Sequence, residues 1–339
     1  MRVLITGANG FIGRALTTRL LELGNLRGRD IATLSVLDTA LQGLPEDNRL
    51  QKYSGDIADP ALVRRVLADG VDVVFHLVSI PGGTAERDYD LGYRINLQAT
   101  LELLHQLRKQ KRAPVLVYAS SVAVYGEDLP IKMNESANAA PALSYGAHKR
   151  MIEIALQDLS RRKEIDGRAV RLPGIVARPR QPNGLRSAFM SDLLHAVAAG
   201  EPYECPVSPQ ATSWWMSAAC CVNNLLRAAE IDLASTESNR IWQLPVLRLS
   251  IAQVVHALGE QFGDQCETLV TYNVDADLEA LFGRQPPLRT PHSKSLGLKH
   301  DGSPSALIRS ALELRVKRPP AKRDTTAMTL HRALGGRVI

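Results

Sequence analysis

Hydrophobic positions fall into two alternating kinds of segment from the first residues onward. Val3, Leu4 and Ile5 form an apolar run without a polar break. Such a run predicts a strand buried on both faces of a parallel sheet. Phe11, Ile12, Ala15, Leu16, Leu20, Leu21 and Leu23 then recur at the spacing of one helix face. The alternation continues, with strands predicted at 34–38, 71–78, 115–119 and 167–176 and a short extended piece at 53–57. Helices are predicted at about 60–68, from Asn96 to about Lys111, and over 145–162. Strands that alternate with helices argue for a doubly wound parallel sheet with right-handed crossovers. Beyond Arg178-Pro179 the pattern changes to Pro-rich loops between short helices at 188–199, 218–231 and 250–261. Ile241-Trp242-Gln243-Leu244 reads as a strand that rejoins the sheet.

Gly7, Gly10 and Gly13 stand between the first strand and the first helix. A glycine at Gly7 allows a tight turn. Gly10 lets a pyrophosphate approach backbone N–H groups, and Gly13 lets the helix pack closely on the strand. The second strand ends in Asp38, close to the ~20-residue offset of a ribose-binding acid. Its carboxylate accepts hydrogen bonds from adenosine hydroxyls and repels a 2'-phosphate. No Arg occurs at 39–41, so NAD is expected over NADP. Asp56 follows a short extended segment, where it reads either as a contact to the adenine or as a helix cap.

Tyr145 and Lys149 are one helical turn apart, so phenol and ammonium share a face. A free Tyr, with pKa near ~10, is a weak base at neutral pH. A neighbouring ammonium, together with the positive nicotinamide, stabilises phenolate and brings the group toward the working range. The strand at 115–119 delivers Ser120 and Ser121 to its end, and Ser121 can hold a substrate oxygen against Tyr145. His148 lies on another face and reads as a packing or surface residue.

These stretches carry a resemblance. Thr6-Gly-Ala-Asn-Gly-Phe-Ile-Gly13, Asp38, Asp56-Ile57, His76-Leu-Val-Ser79, Asn96, Ser120-Ser-Val-Ala-Val-Tyr-Gly126 and Tyr145-x-x-x-Lys149 resemble the extended short-chain dehydrogenase/reductases, the NAD-dependent epimerase/dehydratase family. The resemblance implies a Rossmann-type domain over 1–175, a smaller, mainly substrate-binding lobe over 176–316 with some return to the sheet, and a flexible basic tail over 317–339. It also implies NAD as cofactor. Gly7, Gly10, Phe11 and Ile12 then line the pyrophosphate, Asp38 holds the ribose, and Asp56 and Ile57 sit at the adenine. Leu77, Val78, Ser79, Asn96 and Pro173 lie along the cofactor. Tyr145 is the base, Lys149 holds the nicotinamide ribose, and Ser121 positions substrate. Members pair their long helices into homodimers or homotetramers.

The loops refine the expected substrate. Dehydratases of this family carry an acidic pair after the Ser position, where this chain has Val122-Ala123. UDP-sugar epimerases carry Asn in an Arg-x-x-Asn stretch, where this chain reads Arg171-Leu-Pro-Gly174. Leu172-Pro-Gly-Ile-Val-Ala-Arg-Pro179, Pro182-Asn183, Ser187-Ala-Phe189 and Glu204-Cys-Pro-Val207 resemble the D-erythronate dehydrogenase branch, which oxidises the 2-hydroxyl of a four-carbon sugar acid. A small carboxylate needs cationic or hydrogen-bonding partners. Arg178, Arg180 and Arg186 are candidates, with Asn183, Ser187, Ser79 and Trp214-Trp215 as pocket residues. A nucleotide-sugar epimerase and a non-catalytic NAD-sensing protein are the other two readings, and intact Ser121, Tyr145 and Lys149 argue against the last.

Composition excludes little more. The chain has 339 residues, 45% hydrophobic and 22% charged, as expected of a globular enzyme. No apolar run approaches the ~18 residues of a membrane span, and no signal segment precedes the first strand, so a cytoplasmic protein is expected. Cys205, Cys220, Cys221 and Cys266 lack metal-ligand spacing, so no metal site is expected. The net charge of +6 is concentrated in Arg-Val-Lys-Arg-Pro-Pro-Ala-Lys-Arg at 315–323. That segment reads as a solvated tail, with no nucleic acid as partner.

Overall fold

A computed structural model describes residues 1–180, 186–232 and 239–313. In chain order its main strands are β1 (Arg2–Thr6), β2 (Thr33–Asp38), β3 (Leu50–Ser54), β4 (Val73–His76), β5 (Val115–Ser121), β6 (Asp166–Leu172), β7 (Gly174–Val176), β8 (Thr212–Ser217), β9 (Ile241–Gln243) and β10 (Leu247–Ser250). Seven of these form one sheet in the order β3-β2-β1-β4-β5-β6-β9. Every neighbouring pair in it is parallel. Chain direction across the sheet reverses at β1, so the crevice for a ligand lies outside the carboxyl ends of β1 and β4.

Side-chain alternation along β1 divides the core in two. Val3 and Ile5 join the cluster that contains Leu16 and Leu20 of α1 (Phe11–Leu23), while Leu4 joins the cluster on the other face. That second cluster includes Leu62 of α2 (Pro60–Val66), Leu103 and Leu104 of α5 (Thr100–Leu107), and Ile152 and Leu156 of α6 (Ser144–Arg161). Val3, Leu4 and Ile5 are at most 2% exposed. Each such side chain stabilises the fold by roughly 1.5–3 kcal/mol, which is why β1 tolerates no polar residue between Val3 and Ile5. The first face is completed by α8 (Ala218–Glu230), whose Cys221, Val222 and Leu225 pack into the α1 side. Ile241–Gln243 does rejoin the sheet, beside β6.

Three local expectations are corrected. The predicted strand at 167–176 is broken at Pro173, where β6 ends and β7 begins. Proline has no N–H to donate to a sheet ladder, and β7 leaves for a second sheet in the order β7-β8-β10. Asn96 does not start a helix. It lies within a continuous helical run of α4 (Tyr89–Gly92), a π-helical turn (Tyr93–Ala99) and α5. The run begins after the Asp88 carboxylate, which accepts from the Leu91 N–H. Polar residues around Tyr89 and Arg94 hid the helical period there. Trp214 and Trp215 line no pocket. Both are at most 1% exposed, and their indole N–H groups donate to the carbonyls of Pro286 and Leu249. The basic segment from 317 lies outside the described residues.

Candidate active site

The carboxyl end of β1 is shaped by close backbone contacts. Gly7 has φ +78°, and a Cβ there would stand 2.8 Å from the Val78 nitrogen. A Cβ on Gly13 would stand 2.1 Å from the Gly7 carbonyl oxygen. Neither position accepts a side chain. Gly10 differs: a Cβ there meets only the Gly7 oxygen at 3.3 Å, so it would project into the space ahead of α1. Gly10 begins α1 without a side-chain cap, and the first turn contains no acid. The first N–H groups of the helix therefore face that space with the positive end of the helix dipole. Phe11 and Ile12 are half-buried beside it.

Asp38 faces the same space from the end of β2. Its carboxylate accepts from the N–H groups of Asn9 (2.8 Å) and Thr39 (2.7 Å). Asn9 Oδ1 is buried and has no partner among the described residues. An uncapped helix start, a carboxylate and an orphaned amide oxygen form a donor and acceptor set that fits a dinucleotide. Ile57 is 5% exposed, and the Asp56 carboxylate is held by Arg94 at 2.7 Å. The carboxylate that caps α2 is that of Asp59, not Asp56.

Leu77, Val78 and Ser79 follow β4 and are half-buried. The Asn96 amide fixes the loop that carries Ser79: Oδ1 accepts from the Ile80 N–H at 2.7 Å, and Nδ2 donates to the Ile80 carbonyl at 3.1 Å. A π turn presents that amide inward, a geometry often found at functional sites. Asn96 is 3% exposed, and its amide holds the Ser79 loop through Ile80. Below it, His76 is held by Thr6 Oγ1 at 2.6 Å on Nδ1 and by Thr100 Oγ1 at 2.9 Å on Nε2. Thr100 gives its own hydrogen to the Asn96 carbonyl. The imidazole proton therefore belongs on Nε2, with Nδ1 accepting from Thr6.

The start of α6 brings Tyr145 to the same place. A Cβ on Gly146 would stand 2.3 Å from the Ala123 carbonyl oxygen, so only glycine lets the helix reach the turn after β5. A Cβ on Gly82 would touch the Tyr145 ring at 3.7 Å, which places the ring against α3 (Gly82–Arg87). The hydroxyls of Ser79 and Ser121 lie beside the phenol and favour its charged form. Lys149 lies 5.5 Å from the Tyr145 ring centroid and 4.7 Å from that of Tyr118, and its ammonium donates to the Ala119 carbonyl at 2.7 Å.

Burial is the dominant influence on both groups. It raises the phenol pKa above 10.0, against the influence of the two serine hydroxyls and the charge of Arg178. It pulls the Lys149 ammonium down to about 7, against the charge of Glu153. The expected pairing of Tyr145 and Lys149 on one face is thus present. The expected lowering of the phenol by Lys149 is not produced by the protein's own groups, because desolvation outweighs them. His148 is not at the surface: it is 2% exposed and packs against the stacked rings of Tyr89 and Tyr93.

Beyond β7, Ala177 takes φ +60°, a left-handed conformation that costs a residue with a side chain about 1 kcal/mol. It turns Arg178 toward α1. The Arg178 N–H donates to Ser191 Oγ at 3.1 Å, and His195 Nε2 donates to its carbonyl at 2.9 Å. Ser191 and His195 both belong to α7 (Phe189–Ala198). The Arg178 guanidinium lies 5.3 Å from the Phe11 ring centroid, and its buried Nε has no partner among the described residues. Arg180 is exposed and bound to Glu201 at 2.8 Å. Arg186 is exposed at the start of a short 3-10 turn, Pro173 is buried, and Asn183 lies outside the described residues. No group of His, Cys, Asp or Glu among the described residues has metal-ligand geometry, and the four cysteines are free.

Burial depresses His76 from 6.5 to about 3. The unfolded chain therefore takes up this proton first. The stability from a neutral His76 is complete above pH 6.5 and is lost as pH falls toward 3, at about 1.4 kcal/mol per pH unit. Urea midpoints between pH 6.5 and 4 should show a shallower slope for His76→Asn than for wild type. Parallel slopes would mean that the imidazole does not titrate as a buried neutral group.

Residues 3–216 match the family model described as "NAD dependent epimerase/dehydratase family". D-erythronate dehydrogenase of Cupriavidus necator is 36% identical over 319 residues, covering 92% of this chain and 98% of that protein. The protein of that name from Haemophilus influenzae is 29% identical, covering 92% and 99%. Among solved structures, one described as a nucleoside-diphosphate-sugar epimerase from Agrobacterium tumefaciens superposes with a TM-score of 0.86 at 30% identity, over 93% of this chain and 94% of that one. The chain belongs to the NAD-dependent epimerase/dehydratase family and is an NAD-dependent oxidoreductase.

Proposed function

We propose that this protein oxidises the 2-hydroxyl of a small sugar acid, of the D-erythronate type, to the 2-oxo acid. The observation that carries this reading is the convergence of Ser79 and Ser121 on the Tyr145 phenol, beside an Arg178 guanidinium with no ion-pair partner among the described residues. In this reading Ser121 and Ser79 hold the substrate hydroxyl, and Tyr145 takes its proton. Lys149 holds the nicotinamide ribose, and Arg178 receives the carboxylate, with Asn183 and Arg186 as further contacts on the lobe side. Gly7, Gly10, Phe11 and Ile12 hold the pyrophosphate, and Asp38 the ribose. Asp56, Ile57, Leu77, Val78, Ser79, Asn96 and Pro173 complete the cofactor wall. NAD, when bound there, supplies the hydride acceptor. The two full-length relatives named D-erythronate dehydrogenase support the substrate class.

The likeness to the Agrobacterium protein favours a nucleotide-sugar epimerase as the second reading. Two features weigh against it. A Cβ at Gly174 would stand 2.8 Å from Met190 Cε and 2.9 Å from the Trp214 carbonyl oxygen, so asparagine does not fit where those epimerases carry it. Arg171, three residues earlier, is held inside the protein by Glu153.

The decisive variant is Tyr145→Phe, which removes one oxygen and keeps the ring against Gly82. Turnover of D-erythronate should fall by roughly 10²–10⁴, with NADH affinity little changed. Oxidation at the wild-type rate would rule out the phenol as base. The dissociation constants of NAD and NADP, measured for wild type and Asp38→Ala, form a second test. Wild type should bind NAD much more tightly, and the variant should narrow the gap. Equal wild-type affinities would remove Asp38 from the ribose site.

We also infer a homodimer. Tyr89, Tyr93, Leu101, Met151 and Ile154 are 36–54% exposed on the outer faces of α4, the π turn, α5 and α6. A second copy of the same faces would cover them in a four-helix bundle. Light scattering at micromolar concentration should give a mass of two or four chains, and a monomer would refute this assembly.

A further inference from the structure

The carboxylate of Glu153 is wholly buried one turn beyond Lys149, so Tyr145, Lys149 and Glu153 lie along one stripe of α6. It is saturated by partners from three elements. Ser120 Oγ donates to Oε1 at 2.6 Å from β5. Arg171 of β6 grips both oxygens, Nε to Oε1 and Nη2 to Oε2, each at 2.8 Å. Arg150 Nη1 reaches Oε2 at 3.1 Å from α6 itself. Ser120 precedes Ser121, and Arg171 lies opposite Ser120 in the β5–β6 ladder. The Arg171 guanidinium also stacks 4.9 Å from the ring centroid of Tyr125, in the turn after Ser121.

Two facts make this more than a structural ion pair. First, the atoms it ties are those next to the reacting groups: the strand end that carries Ser121 and the helix that carries Tyr145 and Lys149. Second, it supplies the negative charge acting on Lys149. The groups that face that ammonium are the rings of Tyr145 and Tyr118, the Ala119 carbonyl and the neutral imidazole of His76. None of these carries an anion. Arg150 and Arg171 are cations, and both are bound to Glu153.

We propose that Glu153 is a positioning residue for this site: it locks the Tyr145–Lys149 helix to the Ser121 strand and holds a buried carboxylate one helical turn from Lys149. The proposal rests on the roles given above to Tyr145 and Lys149. It does not depend on which acid is oxidised, because its test reads NADH binding. An ammonium donates to ribose hydroxyls, whereas the free amine loses its charge and one donor, so NADH affinity should weaken as pH rises through the Lys149 pKa.

NADH fluorescence titrations from pH 6 to 9 should compare wild type, Glu153→Asp and Glu153→Gln. Loss of the charge should move the break to lower pH by about one unit, which at pH 7.5 is about a tenfold rise in the NADH dissociation constant. Glu153→Asp keeps the charge but withdraws it by one methylene, and its break should fall between the other two. If Glu153→Gln does not fold, because Arg171 is left buried and unpaired, the Asp variant alone decides. A break matching wild type in any folded variant would overturn the proposal. Failure of the sugar-acid reading would show separately, as no oxidation of D-erythronate by a wild-type protein that binds NADH normally.

Discussion

The site depends on one backbone contact: α1 lies so close to the turn after β1 that a Cβ on Gly13 would fall 2.1 Å from the Gly7 carbonyl. Main-chain atoms cannot be displaced as a side chain can, so the contact fixes where the helix axis points. The helix start then lies just beyond β1, uncapped, with Asp38 drawn toward it by the Asn9 N–H. The parallel sheet delivers Ser79 and Ser121 to the same edge, after β4 and at the end of β5, while Tyr145 and Lys149 come from α6 and Arg178 follows β7 of the second sheet. A glycine contact therefore sets the cofactor side of the crevice, and strand order sets which side chains face it.

Desolvation governs the chemistry on the other side. Burial alone moves the phenol of Tyr145 and the ammonium of Lys149 in directions that disfavour the charged form of each. The protein counters this with neutral donors and fixed charges placed close by: two serine hydroxyls and Arg178 at the phenol, Glu153 behind the ammonium. Such groups act more strongly where water is excluded. The same exclusion explains His76. A neutral imidazole between Thr6 and Thr100 links β1, β4 and α5 without adding a second positive charge near Lys149.

Much of this was legible in the sequence, because glycine spacing and apolar runs report backbone geometry directly. The Gly7–Gly10–Gly13 turn rests on a spacing of three residues, the Tyr145–Lys149 pair on a spacing of four, and the strand ending in Asp38 on a short, mostly apolar run. Three things were not legible. The π turn that aims Asn96 inward breaks the helical period that a sequence reading relies on, so the helix was expected to begin seven residues late, at Asn96 instead of Tyr89. Arg171 was read as part of a substrate grip that lacked its asparagine. Its real partner, Glu153, lies 18 residues away on another element. That pair left one signal: a Glu one turn beyond Lys149, on the face of α6 that also carries Tyr145. The relation of Arg178 to Ser191 and His195 depends on the unusual conformation of Ala177, and no residue type announces a left-handed alanine.

That alanine bears on why Arg178, of the three arginines considered, is the one suited to a small anion. Arg180 already has Glu201, and Arg186 stands in solvent, where a lone carboxylate is bound weakly. Arg178 is drawn inward by a strained turn, clamped through its backbone by α7 and left with a buried nitrogen that has no acceptor among the described residues. Burial lowers its pKa, so the charged form is held at a cost that an anion would relieve. An unpaired buried donor costs about 1–3 kcal/mol, and strain at Ala177 adds to this. A fold that carries both, next to the phenol, has given up stability at the point where an incoming carboxylate can restore it. In the proposed reading, carboxylate binding and repair of the unpaired donor are one event, which would favour an acid over its neutral polyol.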